Sequence, residues 1–363
     1  MDIEAYLRNR KEHIGQESRQ VTDFSVFDFN YIPDQPLMRE ECQKLIDAML
    51  RFDVSGIPTH QAIIGSRGSG KTLTLKFLQK IIPKQTNLNV VYANCRTHNT
   101  SFKIMAHLLG IQARGASLNE MYDLFENRFQ GKTVVVLDEV DLMSPKDRRR
   151  DILYLLSRSE MPYMVVMLSN NPHVVKELDP ATRSSLQPEL IHFRNYDAQQ
   201  IHLILKDRAL RGLKTWDNTH LGQIAALTTR KTNADARIAI KTLYYTVTET
   251  QADVETSFEK ARRDIVVDMI NDLSDANLMI LWSAATSPTD FAKEIYKRYC
   301  RFSQDHREKP FSYVYFYSNL SYLQSVGLIA LVSAKVDRTY TNRILLTFDR
   351  PILEQICRLR LEP

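Results

Sequence analysis

The stretch IIGSRGSGKT at 63–72 sets Gly65, Gly70, Lys71 and Thr72 in the spacing G-x-x-x-x-G-K-[ST], with Gly68 between them. Each residue type has a use in holding a nucleoside triphosphate. The glycines let the backbone curl, so that N–H groups along Ser66, Arg67, Gly68, Ser69, Gly70, Lys71, Thr72 and Leu73 converge on phosphate oxygens. The Lys71 ammonium neutralises the β- and γ-phosphates, and the Thr72 hydroxyl is a ligand for Mg²⁺. A second element is VVVLDEVD at 134–141. Its apolar run ends in two carboxylates, with Asp138 placed to hold Mg²⁺ through water and Glu139 to polarise an attacking water. A third is MLSNN at 167–171, where Asn170, chosen over Asn171, offers an amide to that water or to the γ-phosphate. A fourth is NADARIAIK at 233–241. There Asn233 or Asp235 can cap a helix whose first turn presents Arg237 to a phosphate.

These groups can meet only if particular elements carry them. The runs QAIIG (61–65), NVVYAN (89–94), TVVVLDE (133–139), YMVVMLS (163–169) and LIHF (190–193) are apolar at nearly every position. Strands of that kind are buried on both faces, as in a parallel sheet with helices on each side. The glycine loop, Asp138 and Asn170 then lie at the carboxyl edge of one α/β sheet, where such folds bind ligands. From 195 to 265 apolar residues recur at helical spacing (Ile201, Ile204, Leu205; Ile238, Ile240, Leu243, Tyr244), which predicts an all-helical unit. After 275 come three helical stretches, then LIALVSA and NRILLTF on either side of KVDRTYT. Three helices and a hairpin are the winged-helix plan. The boundaries expected are a polar arm at 1–20, a nucleotide-binding core at 21–194, a lid at 195–270 and a winged helix at 271–363. Residues 276–363 hold 12 Lys+Arg and 8 Asp+Glu, so +4 of the chain's net +5 lies there. Local positive charge of this sort suits attraction to phosphates.

Composition excludes other classes. The four cysteines, Cys42, Cys95, Cys300 and Cys357, are far apart and form no CxxC, which argues against a disulfide framework or zinc site. No apolar run approaches membrane-span length, and MDIEAYLRNRKEH has no signal-peptide core. The chain reads as soluble, intracellular and cytoplasmic, with no membrane partner.

The four motifs together define an AAA+ ATPase, a P-loop core with a five-stranded parallel sheet and a helical lid. FNYIPDQPLMREE (29–41), the P-loop, YANCR (92–96), LDEVD, LSNN, LDPATRSSLQPELIHFRNYDA (178–198), NADAR and the winged helix resemble the archaeal origin-recognition and cell-division-control replication initiators. The resemblance runs from about residue 20 to the C-terminus. It implies ATP/ADP and Mg²⁺ as cofactors, an adenine site lined by Tyr31, Ile32, Pro33 and Arg39, and nucleotide-state sensors at Asn170 and Arg237. It implies a helical insertion near Gln112 to Ser117, with Arg114 and Gly115 at its tip, that touches DNA. It further implies a slow ATPase acting as a switch in the nucleoid, with double-stranded origin DNA, paralogous initiator subunits and the replicative helicase as partners. Two departures stand out. Ala181 occupies the place of the family's arginine, which leaves Arg183 as the local candidate for an arginine finger. Secondly, 311–334 contains no charged residue, so the third helix must read bases through Tyr315, Ser318, Asn319 or Tyr322, or leave the work to phosphate contacts and the wing. The hairpin tip offers Lys335, Arg338, Tyr340 and Arg343. The KDRRR run at 146–150 is expected on a helix after the Walker B strand. The alternative reading is a signalling ATPase whose winged helix binds protein.

Overall fold

A computed structural model describes residues 2–4, 6–7, 11, 15, 19–112, 115–144, 147, 150–249, 253–336 and 339–361. The chain divides into two compact units, one of residues 32–194 and one of 1–31 with 195–363.

The first unit is built on five strands: β1 (Gln61–Gly65), β2 (Asn89–Asn94), β3 (Thr133–Asp138), β4 (Tyr163–Ser169) and β5 (Glu189–Phe193). All pair in parallel, in the order β2-β3-β4-β1-β5. Side chains alternate across the pleat, and both sets are apolar. Val134 and Val136 of β3, with Met164, Val166 and Leu168 of β4, face α1 (Glu40–Ser55) and α2 (Lys71–Gln85). Val135, Leu137, Val165 and Met167 face α3 (Ser101–Leu109), α4 (Leu118–Arg128) and α5 (Asp151–Arg158). A short α6 (Pro180–Leu186), capped by Asp179, precedes β5 and carries Ala181 and Arg183 on exposed positions. Helix α2 runs through Pro83 to Gln85.

The second unit begins with four helices: α7 (Ala198–Gly212), α8 (Asn218–Lys231), α9 (Ala236–Thr248) and α10 (Val254–Asn271). The segment 21–31, expected with the nucleotide core, packs on α7 instead. Val21 bridges Leu213, and the buried Arg208 donates to the carbonyls of Val26 and Asp28. Its guanidinium lies 4.7 Å from the Tyr31 ring centroid, and burial lowers its pKa to about 10. Gly212 permits this approach, since a Cβ there would meet Val26 Cγ2 at 2.3 Å and the Asp23 carbonyl at 2.8 Å.

Then come α11 (Asp275–Thr286), α12 (Ala292–Asp305), α13 (Tyr313–Ser325) and an antiparallel hairpin of β6 (Ile329–Val336) and β7 (Thr339–Leu346). Phe291, just before α12, bridges Arg343 on β7. A strand contact between the first two helices that joins the hairpin is the winged-helix arrangement. A final helix, α14 (Arg350–Arg360), was not anticipated from sequence, although Pro351 in its first turn and the spacing of Leu353, Ile356 and Cys357 announce it. The domain boundary expected at 270 falls inside one apolar cluster. Phe258, Ile265, Met269 and Ile270 of α10 pack with Leu278, Tyr299, Phe316, Leu328 and Leu353 of the following module. Among the described residues no helix is long and apolar enough to cross a membrane.

Candidate nucleotide and DNA sites

Strand β1 ends at Gly65, and α2 begins at Lys71. Between them Gly68 and Gly70 take φ of 73° and 89°, a backbone region that costs glycine little. A Cβ on Gly65 would lie 2.5 Å from the Phe193 carbonyl and 3.2 Å from Ser69 Oγ, so the loop closes tightly over the sheet edge. Gly70 is the N-cap of α2, and no side chain caps that end. The N–H groups at a helix start of this kind are the usual donors to a bound anion. The buried Lys71 ammonium donates to the carbonyls of Gly65 (2.7 Å) and Ser66 (2.8 Å) and to Asn170 Oδ1 (3.0 Å). Ser69 Oγ donates to the Ser66 carbonyl and steadies the turn.

The two neighbouring asparagines separate here. Asn170 reaches Lys71, whereas Asn171 accepts from His173 N–H and donates to Glu177, holding the following turn.

Asp138 ends β3. Thr72 Oγ1 donates to Asp138 Oδ2 at 2.7 Å, which joins the two expected metal ligands. A hydroxyl and a carboxylate oxygen are the hard donors that Mg²⁺ takes, so this pair fits the ion. Glu139, at φ 55°, follows Asp138 in left-handed backbone. Burial pushes its carboxyl above the ordinary range, against the hydrogen bond from Asn94 Nδ2 (3.1 Å). Asp141 is buried as well, and burial raises it in the same direction; its Oδ1 accepts from Ser169 Oγ at 2.6 Å.

Two side chains that sequence reasoning passed over complete this edge. Tyr92 and Asn94 lie two residues apart on β2 and so share a face. Tyr92 donates to Asp138 at 2.8 Å, and Asn94 donates to Glu139. Both sit in the quoted YANCR, but their aim depends on β2 lying beside β3, with Asn94 opposite Asp138.

Arg39 is buried. It donates to the Ser69 carbonyl (2.6 Å) and the Arg194 carbonyl (2.9 Å), with its guanidinium 5.2 Å from the Phe193 ring centroid. This is a brace between the glycine loop and the end of β5. Pro33 is buried and Ile32 half-buried in the same unit, while Tyr31 belongs to the other. In that other unit Asp235 caps α9 and also pairs with the side chain of Arg237. Burial opposes the Arg237 charge, but Asp235, Asp272 and Asp268 outweigh it and hold the pKa high.

The DNA candidates spread over several places. Arg114 lies outside the described residues. The described part of 112–117 is a non-helical connection between α3 and α4, where Gly115 takes φ of 79° and Ser117 caps α4. The described residues there lie between two helices, α3 and α4, and the expected tip at Arg114 falls outside the described set. Asp147 and Arg150 of the KDRRR run likewise precede α5 and do not lie on it; the rest of the run is outside the described residues.

On α13, Tyr313, Val314 and Tyr315 are exposed, and Ser318 and Asn319 are half-buried. Asn319 Nδ2 donates back to the Tyr315 carbonyl at 2.8 Å. Lys335 and Tyr340 are register partners near the hairpin end, with side chains outside the described set, as is all of Arg338. Arg343 is not at the tip: it stands opposite Val332 and pairs with Asp290 at 2.5 Å. That partner lies 53 residues away, so sequence gave no hint of it.

Residues 58–171 match the family model described as an AAA domain. The chain is 29% identical over 282 residues to ORC1-type DNA replication protein 1 of Sulfolobus acidocaldarius, over 70% of each chain. It is 25% identical over 354 residues to ORC1-type DNA replication protein 3 of Sulfurisphaera tokodaii, over 91% of this chain and 89% of that one. Among solved structures, the Aeropyrum pernix ORC1 protein in complex with DNA superposes with a TM-score of 0.65 at 24% identity, covering 95% of this chain and 98% of that one.

Proposed function

From the premise that this chain belongs to the archaeal origin-recognition and cell-division-control family of AAA+ replication proteins, we propose that it is an ATP-dependent replication initiator. The observation that carries the nucleotide half is the bonded set Lys71–Asn170 and Thr72–Asp138 at the carboxyl edge of one sheet. In this reading the glycine loop and the uncapped start of α2 bind the triphosphate. Thr72 and Asp138 hold Mg²⁺, which when bound neutralises charge on the phosphate oxygens. Glu139 orients and polarises the attacking water, Asn170 fixes the ammonium of Lys71, and Arg237 senses the γ-phosphate from the lid. Hydrolysis is slow and serves as a switch.

Duplex origin DNA is the proposed ligand of the winged helix and of the α3–α4 connection that contains Arg114. Paralogous initiator subunits and the replicative helicase are the proposed protein partners. The exposed first turn of α13 (Tyr313, Val314 and Tyr315), on a helix without charged residues, favours a second reading, in which the winged helix is a protein-binding module of a signalling ATPase.

The test is retention of genomic duplex fragments at fixed salt, with and without ATP and Mg²⁺. Selective retention of a few fragments, lost in Arg338→Ala, supports an initiator. Salt-sensitive binding without sequence preference reduces the role to general loading. No DNA binding in any nucleotide state rejects the initiator in favour of the signalling ATPase.

A further inference from the structure

Asp138 receives two hydroxyl donors on the same oxygen. Thr72 Oγ1 reaches Oδ2 at 2.7 Å, and Tyr92 Oη reaches it at 2.8 Å. The donors differ in what carries them. Thr72 rides on the first turn of α2, next to the glycine loop, and is itself a candidate metal ligand. Tyr92 rides on β2, which is hydrogen-bonded to β3 along its whole length. Its ring also lies 5.9 Å from Lys76 Nζ, one turn beyond Thr72 on α2.

A carboxylate held only by Thr72 would turn with whatever moves the loop. A carboxylate also held by Tyr92 is referenced to the sheet. We propose that Tyr92 is a positioning residue for the metal site, fixing the orientation in which Asp138 meets Mg²⁺. The inference rests on the nucleotide-site reading above and adds to it a residue that touches neither metal nor nucleotide. Partners of this kind, one bond out from a metal ligand, typically govern metal affinity by 10–100-fold.

A purely structural role makes a different prediction. A half-buried tyrosine needs an acceptor for its hydroxyl, and Asp138 is one. If that were all, Tyr92→Phe would leave metal dependence alone.

The experiment uses the full chain and a fluorescent ATP analogue, bound first in EDTA and then over a Mg²⁺ titration. For Tyr92→Phe the Mg²⁺ midpoint should rise about 10-fold, while affinity in EDTA stays within about twofold of wild type. In an Asp138→Asn background the same change should have no further effect on the midpoint, because coupled sites are not additive. A midpoint unchanged in Tyr92→Phe overturns the inference and leaves the nucleotide site standing. Equal losses in EDTA and in Mg²⁺, or equal shifts in both backgrounds, also overturn it. Failure of the wild-type chain to bind the analogue under either condition removes the nucleotide-site reading and this inference with it.

Discussion

Replacing Arg39 by Met separates a brace from a base contact. Arg39 is 7% exposed, and its guanidinium donates to two main-chain carbonyls, at Ser69 and Arg194. Hydrogen bonds from a charged donor contribute roughly 1.5–3 kcal/mol each. Met fills much of the volume and keeps contact with the Phe193 ring, but both carbonyls lose their donor. Water can reach part of that edge, so we expect a net loss of roughly 3 kcal/mol rather than the full sum. For a unit of this size each kcal/mol lowers the melting temperature by about 2–4 °C, which gives a fall of about 6–12 °C without nucleotide. The Ser69 carbonyl belongs to the phosphate loop, so ATP and GTP should weaken together. The assay is thermal melting with and without nucleotide, beside titrations of ATP and GTP. An unchanged melting temperature in the nucleotide-free protein, with only the preference for adenine altered, would refute the brace and favour the adenine contact that the resemblance implies.

Two further outcomes follow from the geometry. His60 accepts from Val165 N–H at 3.0 Å, and burial lowers its pKa to about 4 from 6.5. The unfolded chain takes up that proton first, so stability is full above pH 6.5 and falls by about 3 kcal/mol as pH drops to 4. Denaturant melts of wild type and His60→Asn across this range should differ in slope, and parallel curves would show that His60 does not titrate as described. Arg343→Ala should leave the melting temperature close to that of wild type, since an ion pair open to solvent contributes little. It should also leave the salt slope of DNA binding unaltered, whereas a fall of about 0.9 would mean that Arg343 leaves Asp290 for a phosphate.

The strands were legible because their burial on both faces writes a continuous apolar run, and Gly65–Thr72 because phosphate binding demands residues close in sequence. Asp138 and Asn170 were legible as polar residues that end such runs. What escaped depended on neighbours across the sheet or far along the chain. Tyr92 and Asn94 have a task only because β2 lies beside β3. Arg39, placed at the adenine site by resemblance, could be seen as a brace only once Ser69 and Arg194 stand around it. Segment 21–31 adjoins the nucleotide core in sequence, yet Arg208 and Gly212, some 180 residues later, hold it to the lid. Arg343 could not be told from a free wing-tip cation without Asp290.

The apolar cluster that runs from α10 into the winged helix has a mechanical consequence. A DNA-reading module on a flexible string samples many orientations, and a switch upstream can change only how often it finds its target. Here no string intervenes. Gly327, at φ 86° in the turn after α13, even has the Asn233 amide 3.2 Å from where its Cβ would stand. Asn233 belongs to the same NADAR loop as Arg237. The last lid helix and the hairpin share one packed core, so a rotation of that helix would carry the hairpin with it, as a handle turns its blade.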